Sequence, residues 1–433
     1  MDTLPPEVLE DIVSHVADDD LRACCLVSSR FRDPCQARLH REVVLSLKLR
    51  VTIDAGSISP LWRTHMHFEA FPHLATHVRT CTLRLAREDL AHATHLVLPV
   101  VSTLRRLVNV RAVFIEMGHM GVQWEHIPVD IREATLELLH RASRQGPTSR
   151  ISLQHIHGFP IVDLADLFSG VYSLQLIAVS LSPPPYLLHG EADDEAPAAV
   201  NSTPNLNLKS LSLEHSFFPN LRLLRRCESL ETLSVQWPQE NSLATILRAV
   251  PPVASILQHL EIMASPDSTL QATTTITFPK LRLLRLEFSR ISVQQPQDAA
   301  AWSLPHLLSR LVPFFNTSKT TFERLEIRIT ISLDNAGLFA PGAAPPEYVL
   351  PTEMNLLDAV LAGRLRSKDP PRIEIGLHLR GWVNWPRFGP ILEEHYEVLA
   401  PIFRAALPHA VAAGLEVVQW DGKRMAAGGW LAN

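Results

Sequence analysis

Histidine is the residue type through which this chain could most readily do chemistry, with 20 in 433 residues. The densest group is His65, His67, His73 and His77 in HMHFEAFPHLATHV. A zinc site wants four converging nitrogen or sulfur ligands. No cysteine stands at ligand spacing here, and Pro72 interrupts any helix that would align the four rings. His155 and His157, two apart, fit one face of a single strand. Acidic pairs are Asp163/Asp166 and Glu393/Glu394 in helical patterns, with acidic runs at Asp18–Asp20 and 193–195 in loops; a solvated face or turn accounts for each. The chain has no G-x-x-x-x-G-K-[ST], G-x-G-x-x-G, G-x-S-x-G or H-E-x-x-H. The expectation is a protein without catalytic groups, metal or cofactor.

Composition narrows the class. Apolar residues make up 46% and charged residues 20%, the balance of a folded chain with a large core. A net charge of −5 gives no basic stripe for nucleic acid, and Leu221–Cys227 (LRLLRRC) is one helix-like turn. No apolar run is long enough to span a membrane, and the acidic, proline-broken start is unlike a secretory signal. Cys24, Cys25, Cys35, Cys81 and Cys227 are odd in number and unpaired in spacing, which predicts reduced, core-packed thiols and a cytoplasmic or nuclear location.

The elements that would position any function follow from patterning. Pro5 and Pro6 suit a first helical turn, and Val8, Leu9, Ile12, Val13 and Val16 form one stripe at helical spacing. Asp20 is the expected N-cap of a second helix carrying Leu21, Cys24 and Cys25; Asp33–Pro34 is the expected start of a third with Cys35, Leu39 and Val43. Forty residues cannot bury enough area to stand alone, so these stripes need a neighbour. LPPEVL at 4–9, then Ile12, Val16, Asp20–Leu21, Cys24, Leu26–Val27–Ser28, Phe31 and Arg38–Leu39, resembles an F-box over roughly the first tenth of the chain, with Phe31 and His40 where that family often has tryptophan. The resemblance implies docking onto a Skp-type adaptor, and through it a cullin, by Leu4, Pro5, Val8, Leu9, Ile12 and Leu26.

Beyond a strand beginning near Val43, a unit recurs: one apolar residue, two variable positions, then an apolar pair spaced by one. It is clearest at Leu208–Leu211–Leu213, Leu230–Leu233–Val235, Leu257–Leu260–Ile262, Leu281–Leu284–Leu286 and Phe322–Leu325–Ile327, and weaker at Val78–Cys81–Leu83, Val110–Val113–Ile115, Val171–Leu174–Leu176 and Leu415–Val417. The central positions 211, 233, 260 and 284 step by 22, 27 and 24 residues, within the spacing of leucine-rich repeats. Helical patterns intervene at 130–145, 241–257, 298–315, 351–365 and 390–413, and loops fall near 182–207, 266–275 and 333–352. The expected fold is therefore α/β: a three-helix F-box at 1–45, then at 46–433 an irregular leucine-rich-repeat-like solenoid with a parallel sheet. Residues beside the inner pair should point away from the core: Ser212, Ser234, Glu261, Arg285 and Glu326 in one column, Glu214, Gln236, Met263, Glu287 and Arg328 in the next. Such columns suit an unknown protein target. Two functions remain open: a non-catalytic substrate receptor of a ubiquitin ligase, or a ligase-independent scaffold whose N-terminal helices only cap the repeats. A hydrolase with a cryptic histidine site is the third and weakest.

Overall fold

The computed structural model describes residues 4–46, 59–86, 94–118, 121–182, 208–214, 227–236, 253–264, 278–292, 322–332, 354–380, 396–397, 400–401 and 403–419. The expected loops at 182–207, 266–275 and 333–352 lie almost wholly outside these residues. So do the helical patterns at 241–257 and 298–315, except for the turn at 253–257, along with most of Leu221–Cys227, the acidic pair Glu393/Glu394 and the run at 193–195. No helix among the described residues is long and apolar enough to cross a membrane. By its contacts the chain divides into two compact units, residues 1–229 and 230–433.

The first unit opens with three helices, α1 Pro6–His15, α2 Asp18–Val27 and α3 Ser29–Leu39. α1 begins as its prolines require. α2 starts two residues before Asp20, with Ala17 at the N-cap; Asp18, Asp19 and Asp20 all sit in the first turn, where the helix dipole favours them whichever residue begins it. α3 starts at Ser29, because Ser28 Oγ accepts the Arg30 N–H at 3.3 Å; Pro34 lies inside the helix and leaves the Arg30 carbonyl without its helical donor. Val13, Leu21 and Cys35 form the core of the triplet, with Val16, Cys24, Cys25, Phe31 and Leu39 packed around it.

β1 Glu42–Ser46 follows at once and is the first of six parallel strands, so the expected boundary at residue 45 falls inside it. The others are β2 Thr80–Leu85, β3 Ala112–Met117, β4 Arg150–Gln154, β5 Ser173–Ile177 and β6 Ser210–Glu214, each beside its predecessor. The apolar pair keeps register across them. Val43, Cys81, Val113, Ile151, Leu174 and Leu211 align, as do Leu45, Leu83, Ile115, Leu153, Leu176 and Leu213, and all are buried. Crossovers are α4 Pro60–Ala70, α5 Thr94–Arg106, α6 Val129–Ser143 and α7 Ile161–Gly170, each packed on the next. Of these, α6 matches the helical pattern at 130–145 and α7 contains the Asp163/Asp166 pair read as helical.

One device recurs between helices: an arginine donates to last-turn carbonyls of an earlier helix. Arg38 of α3 donates to Val13 O of α1, Arg106 of α5 to Phe68 O of α4 at 2.8 Å, and Arg141 of α6 to Leu104 O and Arg105 O of α5 at 2.8 and 2.9 Å. Val13 O and Leu104 O also accept the Val16 and Leu107 backbone N–H, and each guanidinium places positive charge at the helix's negative pole.

The second unit carries six more parallel strands in chain order: β7 Thr232–Gln236, β8 His259–Ala264, β9 Leu283–Ser292, β10 Arg324–Ser332, β11 Arg372–Arg380 and β12 Glu416–Gln419. Leu233, Leu260, Leu284, Leu325 and Ile373 align, as do Val235, Ile262, Leu286, Ile327, Ile375 and Val417. α8 Met354–Leu365 packs on the short helix α9 Pro408–Ala412. The joint is polar: buried Asp358 accepts the backbone N–H of His409 at 3.1 Å and of Ala410 at 2.7 Å, and contacts His409 Nδ1 at 2.7 Å.

Candidate functional site

α1 is apolar on two sides. Leu9 and Val13, one turn apart, are 6% and 2% exposed; Val8 and Ile12, also one turn apart, are 39% and 41% exposed. The single stripe expected from sequence is thus split between an inner and an outer face, with Val16 half-buried between. At the end of α2, Leu26 and Val27 stand 88% and 74% exposed. Pro5 is exposed and Leu4 half-buried. Leu9, expected to touch an adaptor, instead belongs to the core and can only back the outer face. Val27 joins the outward set; its adjacency to Leu26 at a helix end was the available signal. A helix apolar on two sides needs two neighbours. Among the described residues one side is covered, and covering each exposed Leu or Ile fully is worth about 1.5–3 kcal/mol.

Arg38 holds this face in shape. Besides Val13 O, it pairs with Asp18 of α2 at 2.9 Å, so one guanidinium ties α3 to the end of α1 and the start of α2. Cys35, in the triplet core, has its thiol pushed up to about 11 by burial and the neighbouring Cys25, and is no nucleophile there. Burial pushes Cys81 and Cys227 to about 12.

In the second unit the expected columns are in register: Ser234, Glu261, Arg285 and Glu326 align, followed by Glu374 and Glu416; Gln236, Met263, Glu287 and Arg328 form the second. In the first unit Ser212 and Glu214 lie beside Gln175 and Ile177 and are half-buried. Alternating with the inner pair does not leave all ten open to water. Met263, Arg285, Glu287 and Glu326 are buried, while Ser234, Gln236, Glu261 and Arg328 are half-buried. The cause is visible in the ion pairs. Glu326 accepts from Arg285 Nε at 2.8 Å and meets one terminal nitrogen of Arg328 at 2.8 Å; Arg324 Nε is also 2.8 Å away, but off the hydrogen-bonding direction. Arg285 reaches Glu261 at 3.5 Å. Burial alone would push the Glu326 carboxyl up; the Arg285 hydrogen bond and charge, with Arg328 and Arg324, outweigh it and hold the group below its ordinary value. The network continues from Arg324 to Glu374 at 3.3 Å and from Arg372 to Glu416 at 2.9 Å. The water-facing members are Arg324, Arg372 and Glu416, which the sequence reading passed over. Arg324 and Arg372 directly precede an inner apolar pair and Glu416 splits one, a position that repeats and could have been searched.

An open cleft of about 890 Å³ lies at the strand starts of this unit, lined in part by Lys280, Arg282, Phe322, Glu323 and Asp369, with Arg364 over the Phe322 ring at 5.5 Å. The histidines separate. His65 is buried with Nε2 3.9 Å from Glu69, whereas His67 and His73 line a cleft against α2 and α3. The helix ends at Ala70 and a 3₁₀ turn starts at Pro72, as that proline predicts. Among the described residues no group of three or more His, Cys, Asp or Glu converges as a metal site. His155 and His157 do not share a strand face: His155 occupies a left-handed turn (φ 57°), and His157 faces Gly121, where a Cβ would come within 2.2 Å of its Nε2.

Three short helices precede a parallel α/β sheet in the chain, and Val8, Ile12, Leu26 and Val27 on them are exposed. Residues 1–46 match the family model described as F-box-like, and they form an F-box-like domain. F-box domains typically bind Skp-type adaptors. No curated protein matches the chain.

Proposed function

We propose that this chain is a non-catalytic substrate receptor. The F-box-like helices dock on a Skp-type adaptor, and through it a cullin, while divergent leucine-rich repeats in the sheet present a target protein to the ubiquitin-charged enzyme. The observation that carries the reading is the second apolar face of α1, Val8 and Ile12, joined by Leu26 and Val27 on α2, all within the residues that match the family model. Target contact is assigned to Gln236, Glu261 and Arg328 of the second unit, with Arg324, Arg372 and Glu416 of the same unit, and separately to Glu214 of the first; their mixed charge suits a polar partner. Holding the target close raises its effective concentration without a catalytic side chain. The compartment is the cytoplasm or nucleus, where such ligases work.

The test is an adaptor pull-down with wild type, Val8→Asp and Leu26→Asp. Both side chains are exposed, so the melting temperature should hold while adaptor recovery falls at least about tenfold, the cost of losing one buried side chain at a docking face. Equal recovery of all three proteins would leave the scaffold reading, in which the helices serve only the adjoining repeats.

A further inference from the structure

We propose that the cleft between α2–α3 and the Pro60–His77 segment binds a small phosphate-class oxyanion. It is an open cleft of about 660 Å³ whose polar wall is Arg22, Arg32, Gln36, His40, His67 and His73, the rest of the lining being apolar. No carboxylate stands among its lining residues. The acids nearby are committed elsewhere: Glu69 is held by Arg106 at 2.5 Å, Asp18 by Arg38 at 2.9 Å, and Asp33 bears on His77. Among the described residues neither Arg22 nor Arg32 forms an ion pair with a carboxylate. His67 adds a second imidazole to the wall, its ring 5.2 Å from that of His40. An oxyanion is the ligand class that suits clustered guanidinium and imidazole donors with no carboxylate among them. Guanidinium forks bind phosphate oxygens two at a time, and imidazolium adds charge and a donor. The volume has room for more than one phosphoryl group.

The electrostatics give the site a signature. His40 lies below its ordinary value because of burial, then His67, His77, His73 and Arg22; Arg79 opposes protonation of His77 while Asp33 favours it. A bound anion reverses that balance. Occupancy must therefore take up protons, and affinity must rise as pH falls.

The experiment is calorimetric titration of the full chain with inorganic pyrophosphate, alongside Arg22→Gln/Arg32→Gln and His67→Leu. Saturable one-to-one binding, weakened about tenfold or more in the double variant, is expected, because each loses a charge-assisted hydrogen bond. Sulfate, whose own charge is constant here, should bind more tightly at about pH 6 than at about pH 7.5. A phosphoserine peptide that displaces pyrophosphate would assign a carried phosphoryl group, and one that does not would assign the free anion. Absence of saturable binding, or equal binding by wild type and the double variant with an unchanged melting curve, overturns the proposal.

Discussion

Replacing Glu326 by glutamine removes the one negative charge on which three arginines converge. Glu326 is 2% exposed, with Arg285, Arg328 and Arg324 nitrogens each 2.8 Å from it. Taking one partner from a buried pair costs about 3–5 kcal/mol, since the other charge stays desolvated. Arg285 keeps Glu261 at 3.5 Å and Arg324 keeps Glu374 at 3.3 Å, which places the expected loss at the low end, about 3 kcal/mol. For a unit of this size that is roughly 6–12 °C in the melting transition. Urea unfolding should lower the midpoint without changing the slope. The folded carboxyl titrates below its unfolded value, so its contribution is complete above the unfolded carboxylate range and is lost as pH falls through the lower folded value. The wild-type advantage over Glu326→Gln should accordingly be equal at about pH 7 and pH 5, and shrink near pH 3. The double variant Arg285→Met/Glu326→Leu should recover most of the loss, because well-packed apolar isosteres replace buried ion pairs at little cost. A loss under about 1 kcal/mol, or one erased by about 1 M salt, would mean that the network is solvated like a surface pair.

Arg38→Met should cost about 1–3 kcal/mol and loosen the F-box-like triplet, seen as faster amide exchange in α1 and α2 and weaker adaptor capture. Asp358→Asn should cost a similar amount in urea unfolding of the second unit, since an amide nitrogen cannot accept the two backbone N–H groups that the carboxylate takes. His40 and His77 both lie below the ordinary histidine value in the folded state. The unfolded chain thus binds more protons, stability is whole above about pH 6.5, and it falls as pH drops toward the lower folded values. Melting temperatures from about pH 8 to pH 5 should show this slope in the first unit, and His40→Gln should flatten it.

What the sequence made legible was local and periodic. The inner pairs announce themselves by alternation, and those read from Cys81–Leu83 to Leu325–Ile327 lie buried and in register with their neighbours. The helix starts at Asp18 and Ser29 were misread, since three successive aspartates satisfy a dipole equally well and a serine cap outweighs an aspartate–proline pair. Long-range chemistry was not legible at all. Arg38, Arg106 and Arg141 looked unremarkable because the carbonyls they serve lie 25, 38 and 37 residues away. Glu261, Arg285 and Glu326 looked solvated because each charge was read alone. A parallel register sets opposite charges side by side, and once they neutralise one another they tolerate burial that neither could bear singly. The same logic explains why the apolar residues of α1 were visible and the cleft was not. Val8, Leu9, Ile12 and Val13 lie within two turns of chain, whereas Arg22, His40 and His73 meet only after α4 has folded back on α3.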